Sequence, residues 1–215
     1  LGAGSTTASA ASATTAEEIL EAATDDGMPE KFGYFAIATV SFGGQDVVIT
    51  RTGYTNELGW EFYTEPHHDA EALWAHLSAA GAEFGMEIFG LDAMNIRRIE
   101  AGILNAGSDF NQFTNPYEVG LGRFVDEDKG DFIGKTALAN APRGLRLHGI
   151  KCDGGEPLIG AVVEVSGAAA GKVTAGAVSP YLGHRIGIAL MDSAEHGSGK
   201  KVKVWCRDGS LQNAE

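Results

Sequence analysis

Residues 51–61 read Arg51-Thr52-Gly53-Tyr54-Thr55-Asn56-Glu57-Leu58-Gly59-Trp60-Glu61. Gly53, Asn56 and Gly59 interrupt regular structure in quick succession, so the stretch reads as a tight, preset turn. Asp46-Val47-Val48-Ile49-Thr50 runs into it, and its β-branched apolar residues predict a buried strand. Beyond the turn the residues alternate: Trp60 and Phe62 share one face of a strand, Glu61 and Tyr63 the other. Upstream, Tyr34 to Phe42 predicts a further strand, joined to the Asp46 strand by a Gly43-Gly44 hairpin turn. The stretch therefore ends an antiparallel sheet and sets one carboxylate beside the core.

That carboxylate has two readings. Glutamate is usually exposed, so Glu61 on the solvated face of an edge strand is the simpler one. If it is half-buried instead, it needs hydrogen bonds. A planar ligand edge presenting two adjacent N–H groups, as a pterin ring does, is then a natural partner.

Downstream, residues 67–85 carry Ala70, Leu73, Trp74, Leu77, Ala80 and Phe84 at steps of three and four. This predicts an amphipathic helix with Trp74 in the core. His67, His68 and His76 lie at its start and side with no carboxylate or cysteine pattern, and no catalytic role is assigned to them. Residues 90–102 predict a second helix with Leu91, Met94, Arg98 and Ala101 along one stripe. Arg98 interrupts that stripe, and a buried arginine requires either an internal carboxylate or a ligand anion. A loop then runs from Gly107 to Glu118, with Pro116 fixing an extended entry. A short helix follows from Asp131 toward Ala141.

Past Pro142 the helix signals stop. Leu145–Lys151, Ala161–Val165, Gly171–Ala175, Arg185–Met191 and Lys201–Cys206 are short, closely spaced strand candidates with glycine-rich turns, the pattern of a small barrel or sandwich. Residues 167–172 resemble a phosphate loop but fall one residue short and place Val173 where a magnesium-binding hydroxyl belongs, so they read as a strand turn. At the other end, 13 of the first 16 residues are Ala, Ser or Thr, and a short helix is predicted over Ala16–Ala23. The resulting organisation is a low-complexity or incomplete segment over 1–28, one domain over 29–141, and a second over 142–215. The chain reads as a fragment of something longer.

The 215 residues, 44% of them hydrophobic, suffice for a sizeable core. A formal net charge of −13 disfavours nucleic acid and anionic membrane as partners. No apolar run approaches the roughly 20 residues that span a bilayer. Cys152 and Cys206 are the only cysteines, too few for a disulfide framework and without metal-ligand spacing. No metal site is predicted, and a reducing compartment, the cytoplasm, is expected.

In that order along the chain, Arg51–Glu61, Arg98-Ile-Glu-Ala-Gly102 with Gly107-Ser-Asp109, Asn115-Pro-Tyr-Glu118, Asp131-Phe-Ile-Gly-Lys135 and Gly171-Lys-Val-Thr-Ala-Gly176 with Ser179-Pro180 resemble the glycine cleavage T-protein (aminomethyltransferase) family. The resemblance implies an α+β fold: an antiparallel-sheet folate-binding domain with flanking helices, followed by a small C-terminal β-barrel. It implies one-carbon transfer to tetrahydrofolate from a small-molecule or carrier-bound donor, the lipoyl carrier protein among the candidates. By the same resemblance Glu61 holds the pterin edge, Tyr54 lines its pocket, and Arg98 and Arg123 are cofactor-binding candidates. Three positions depart from the family pattern: Met94 replaces a usual arginine, Arg123 a frequent tryptophan, and Asn56 a glycine, the last a change that asparagine's tolerance of left-handed backbone makes mild. The family's catalytic aspartate lies in an N-terminal segment not found before Phe32, so no catalytic acid is assigned. Demethylation of a sulfonium, methylamine or aryl ether, which Met94 and Arg123 favour, and a non-catalytic folate-binding module are the alternatives.

Overall fold

The computed structural model describes residues 14–192 and 198–215 and divides into two compact units between Met94 and Asn95. In the first unit, helix α1 (Thr14–Ala23) is followed by a three-stranded antiparallel sheet in the order β1 (Ile37–Phe42), β2 (Gln45–Thr50), β3 (Glu61–Tyr63). Gly43 and Gly44 take φ of +58° and +75°, which lets two residues turn β1 into β2 with Phe42 opposite Gln45. The Asp25 carboxylate accepts from both turn amides, at 3.2 and 2.8 Å, and from Ser41. Those bonds, that of Gly44 first, hold its carboxyl below the usual range.

Helix α2 (Ala70–Ala82) starts where the Asp69 side chain accepts the Ala72 amide at 3.0 Å. Its Leu73 and Leu77 join Leu20 and Ala23 of α1, Val40, Phe42, Val47, Ile49 and Phe62 of the sheet, and Trp60 just before β3 in one core. Trp74 departs from expectation: it is 42% exposed, because Leu73 and Leu77 occupy the buried side of the helix. The histidines brace backbone. His68 accepts from the Glu65 amide at 2.8 Å, which leaves its Nε2 to donate to the Asp46 carbonyl at 2.9 Å, and His76 Nε2 lies 2.6 Å from the Ala23 carbonyl.

Helix α3 (Leu91–Ala101) crosses from the first unit into the second. Its buried residues are Arg98 and Ile99, while Leu91, expected on the buried stripe, is exposed. A 3₁₀ turn at Gly122–Phe124 and the short helix α4 (Lys135–Ala139) lead to six strands: β4 (Arg146–Cys152), β5 (Val162–Val165), β6 (Ala168–Ser179), β7 (His184–Met191), β8 (Val202–Trp205) and β9 (Leu211–Ala214). They close a barrel in the order β4-β7-β6-β5-β8-β9, as the close-spaced strand signals predict. Ser166 and Gly167, both at positive φ, form the β5–β6 turn, and β6 is longer than the five residues its sequence suggests. The closing strand β9, Leu211-Gln-Asn-Ala214, lies outside the strand candidates of the sequence, since none of its four positions carries a β-branched or aromatic signal.

The register of β6 against β7 shifts between Val173 and Ala175, making Thr174 an extra residue. This bulge reverses the side-chain alternation. Val173 packs in the barrel core with Val163, Val204 and Met191, whereas Ala175 and Ala177 pack with Ile99 of α3. Inside the barrel the Cys152 and Cys206 sulfurs lie 3.7 Å apart as free thiols. Burial, reinforced by the hydrogen bond and charge of Cys152, pushes the Cys206 thiol up to about 11.

Gly176 marks the tightest backbone approach to β6: a Cβ there would meet the Pro157 carbonyl oxygen at 2.1 Å. Because backbone cannot swing aside, Gly176→Ala should lower unfolding stability by about 1–3 kcal/mol, the usual range for overpacking. Gly149→Ala on β4, where nothing lies within 4 Å, should stay within about 0.5 kcal/mol of the parent. Urea denaturation of both variants checks the ranking, and equal midpoints would refute it.

Candidate functional site

Glu61 opens β3 directly opposite Thr50 at the end of β2. It is half-buried, on the face opposite Trp60 and Phe62, which are both in the core. Its Oε2 accepts from the Thr52 hydroxyl in a short hydrogen bond and from the Tyr63 hydroxyl at 3.3 Å. Thr52 in turn sits 2.6 Å from the Thr50 hydroxyl. The Thr52 hydroxyl has a single hydrogen, and it is donated to Glu61. The Thr50–Thr52 contact must then run from Thr50 to Thr52. A directed chain of hydroxyls therefore ends on one oxygen of Glu61. Hydrogen bonds from the described residues leave Oε1 open.

The turn preceding β3 supplies the surroundings. Arg51 stacks its guanidinium 4.3 Å from the Tyr34 ring and 5.8 Å from the Trp60 ring. Its backbone bonds to Phe35 and Ala36, at 3.2 and 3.0 Å, continue the β1–β2 pairing past Thr50. Asn56 takes φ of +60°, the left-handed conformation that asparagine tolerates. Tyr54 is half-buried on the same turn. Trp60 Nε1 is buried with no hydrogen-bond partner among the described residues.

Arg98 and Arg123 both fall in the second unit. The Arg98 guanidinium pairs with Asp109 in a buried ion pair, while its Nε donates to Asn95 at 2.9 Å and Nη1 to the Ile103 carbonyl at 3.3 Å. Asp109 also accepts from the Asn105 amide at 2.9 Å and from the Thr174 hydroxyl at 2.5 Å. Of the two needs a buried arginine can satisfy, the internal carboxylate is the one met. Beside it, Glu100 takes Arg97 at 2.5 Å and the Ser179 hydroxyl at 2.5 Å, tying α3 to the end of β6. Arg123 is exposed, its guanidinium 4.8 Å from the Phe124 ring, with no carboxylate partner among the described residues.

The Asn115–Glu118 loop is consumed by its own hydrogen bonds. Asn115 caps the Tyr117 amide at 3.0 Å, Glu118 accepts the Asn115 amide at 2.9 Å, and the Tyr117 hydroxyl meets Glu127. Tyr117, then Arg143 at 2.9 Å, hold the Glu127 carboxyl below its usual range, and the bond to Glu127 raises the Tyr117 phenol. A cavity of about 480 Å³ also lies in this unit, with Ile99, Ile150, Lys151, Ile186 and Val202 among its lining residues. Among the described residues, no helix is long and apolar enough to cross a membrane, and no group of three or more His, Cys, Asp or Glu is placed to hold a metal ion.

The hydroxyls around Glu61 were not singled out in the sequence. Alternation places Tyr63 on its face, but Thr52 reaches it only through the register that sets Thr50 opposite Glu61.

The family profile described as GCVT N-terminal domain matches residues 11–129, and that described as glycine cleavage T-protein C-terminal barrel domain matches 146–215. An aminomethyltransferase of Caldanaerobacter subterraneus subsp. tengcongensis is 39% identical over 202 residues, covering 92% of this chain and 54% of that protein. One from Saccharopolyspora erythraea is 40% identical over 179 residues, 80% of this chain and 48% of its own. A trimethylamine-oxide aldolase of Ruegeria pomeroyi is 37% identical over 188 residues, 84% of this chain and 24% of its own. The crystal structure of glycine cleavage system aminomethyltransferase T from Bartonella henselae superposes with a TM-score of 0.78 at 26% identity, over 94% of this chain and 54% of that one. The chain thus spans about half the length of the curated aminomethyltransferases it matches.

Proposed function

We propose that this chain, which belongs to the glycine cleavage T-protein family, carries the pterin-holding part of a tetrahydrofolate-dependent aminomethyltransferase. One observation carries the reading: Glu61 is half-buried, its Oε2 is oriented by hydroxyls, and its Oε1 is open to a donor. The acceptor fits the ligand, because Oε1 has two lone pairs to offer the N–H groups of a pterin edge. Tyr54 lines the same pocket from the turn. Arg98 serves its own loop, and in the second unit Arg123 is the cation offered to an anionic group. The boundary between the folate-binding domain and the barrel falls near Pro142. Tetrahydrofolate supplies the one-carbon acceptor when bound, and this chain's part is to hold and orient it, for which proximity alone is worth much of the barrier. The donor is an aminomethyl group on a lipoyl carrier protein. The free thiols Cys152 and Cys206 support a reducing compartment, the cytoplasm.

A second reading, demethylation of a small methylated substrate, is favoured by Met94 in place of the family's usual arginine and by the kinship with a trimethylamine-oxide aldolase. Turnover of lipoyl carrier protein against methylated amines or sulfonium compounds separates the two. For the pterin assignment itself, Glu61→Gln should weaken tetrahydrofolate binding by roughly 1.5–3 kcal/mol in calorimetry, the worth of a hydrogen bond to a charged group. An affinity within a factor of two of the parent returns Glu61 to the solvated surface.

A further inference from the structure

We propose that Thr52 is the positioning residue of the site: through the chain Thr50 to Thr52 to Glu61 it fixes the carboxylate so that Oε1 faces the ligand. The inference rests on the reading of Glu61 as the pterin acceptor and goes one residue further back. Glutamate has three side-chain torsions, and a strand-edge position leaves the outer ones free, so an unrestrained carboxylate would lose rotamer freedom on binding. Here that loss is already incurred. Thr52 binds Oε2, Tyr63 binds the same oxygen, and neither takes Oε1. The two threonine hydroxyls are 2.6 Å apart, and each has one proton; with that of Thr52 on the carboxylate, that of Thr50 is pinned on Thr52. Such a relay polarises along its length and strengthens its last bond.

The placement has a backbone cause. Thr50 and Glu61 are directly paired across β2 and β3, so their side chains emerge on one face. Thr52, two residues past the end of the paired segment, turns back over the same face. Both of these hydrogen bonds run through the Thr52 hydroxyl, which makes it separable from the shape by substitution.

The experiment compares Thr52→Val, which keeps shape and loses the hydroxyl, with Thr52→Ser, which does the reverse, in the intact protein. Calorimetry with tetrahydrofolate should show Thr52→Val about tenfold weaker, at the low end for a hydrogen bond to a charged group. Thr52→Ser should bind within twofold of the parent. Thr52→Val combined with Glu61→Gln should be no weaker than Glu61→Gln alone, because both changes break one unit. Binding by Thr52→Val equal to the parent while Glu61→Gln binds poorly overturns the positioning role and spares the pterin assignment. An unaffected Glu61→Gln overturns the assignment. The side-chain carboxyl carbon resonance of Glu61, identified by its loss in Glu61→Gln, gives a readout without ligand. It should move in Thr52→Val and stay in Thr52→Ser, and a resonance unmoved in Thr52→Val refutes the hydroxyl contact.

Discussion

Asp109→Ala should destabilise the second unit by about 3–5 kcal/mol, the range for removing one member of a buried ion pair. Asp109 is 1% exposed and collects three groups: the buried Arg98 guanidinium, the buried Thr174 hydroxyl and the Asn105 amide. The alanine variant strands a buried charge and a buried hydroxyl together, and each unmet group costs more than the bond it had been worth. Asp109→Asn keeps an oxygen for Thr174 but loses the charge, so it should fall between alanine and the parent. Chemical denaturation followed by far-ultraviolet circular dichroism measures the series. An Asp109→Ala midpoint within about 1 kcal/mol of the parent would show that Arg98 has another acceptor in solution. The effect should be felt at the barrel, since Thr174 is the bulge residue of β6 and Asp109 is what its hydroxyl meets.

Phe42→Ala should cost the first unit a similar amount, about 3–5 kcal/mol. Phe42 is fully buried, and its ring lies 5.0 Å from that of Phe62, centroid to centroid. The two rings connect the end of β1 to β3, so truncation removes contacts on both sides of a small core. Phe42→Leu, which refills most of the volume, should recover more than half of the loss. Thermal denaturation read by the near-ultraviolet tryptophan signal in a Trp205→Phe background, which leaves Trp60 and Trp74, reports on this unit; a Phe42→Ala transition unshifted from the parent would mean that the unit is not held by this cluster.

Much of the fold was legible in the sequence, for identifiable reasons. The Gly43-Gly44 turn with β-branched residues on either side predicts its hairpin because only glycine enters that turn at no steric cost. The barrel was legible from the spacing of its strand candidates. Trp74 and Leu91 were misplaced because a three-and-four repeat defines a stripe without saying how far it extends around the helix, and Leu73, Leu77 and Ile99 hold the buried positions. β9 was missed because its strand state comes from pairing with β8 and not from its own residues. At the site, Glu61 was legible as a carboxylate on the face opposite Trp60, yet its partners were not. Thr52 and Glu61 are nine positions apart, and no local periodicity connects a turn residue to a strand residue across a sheet. Arg98 was legible as needing a partner, while its choice of Asp109 depended on a loop whose path has no repeat to read.

The barrel closes where Cys152 of β4 pairs with Ala214 of β9, with the Lys151 and Glu215 backbones exchanging bonds at 2.8 and 3.0 Å alongside. For a chain made from its N-terminus, this seam is also a clock. The hairpin of the first unit joins neighbours in sequence and can form as soon as it emerges, whereas β4 must wait first for β7 and then for β9 before its two edges are paired. Until Ala214 has left the ribosome, an unfinished barrel presents open strand edges of the kind that invite pairing with other chains. The second unit therefore completes its fold after its residues have been made, and the interval between the two events is when it is most dependent on protection from its neighbours.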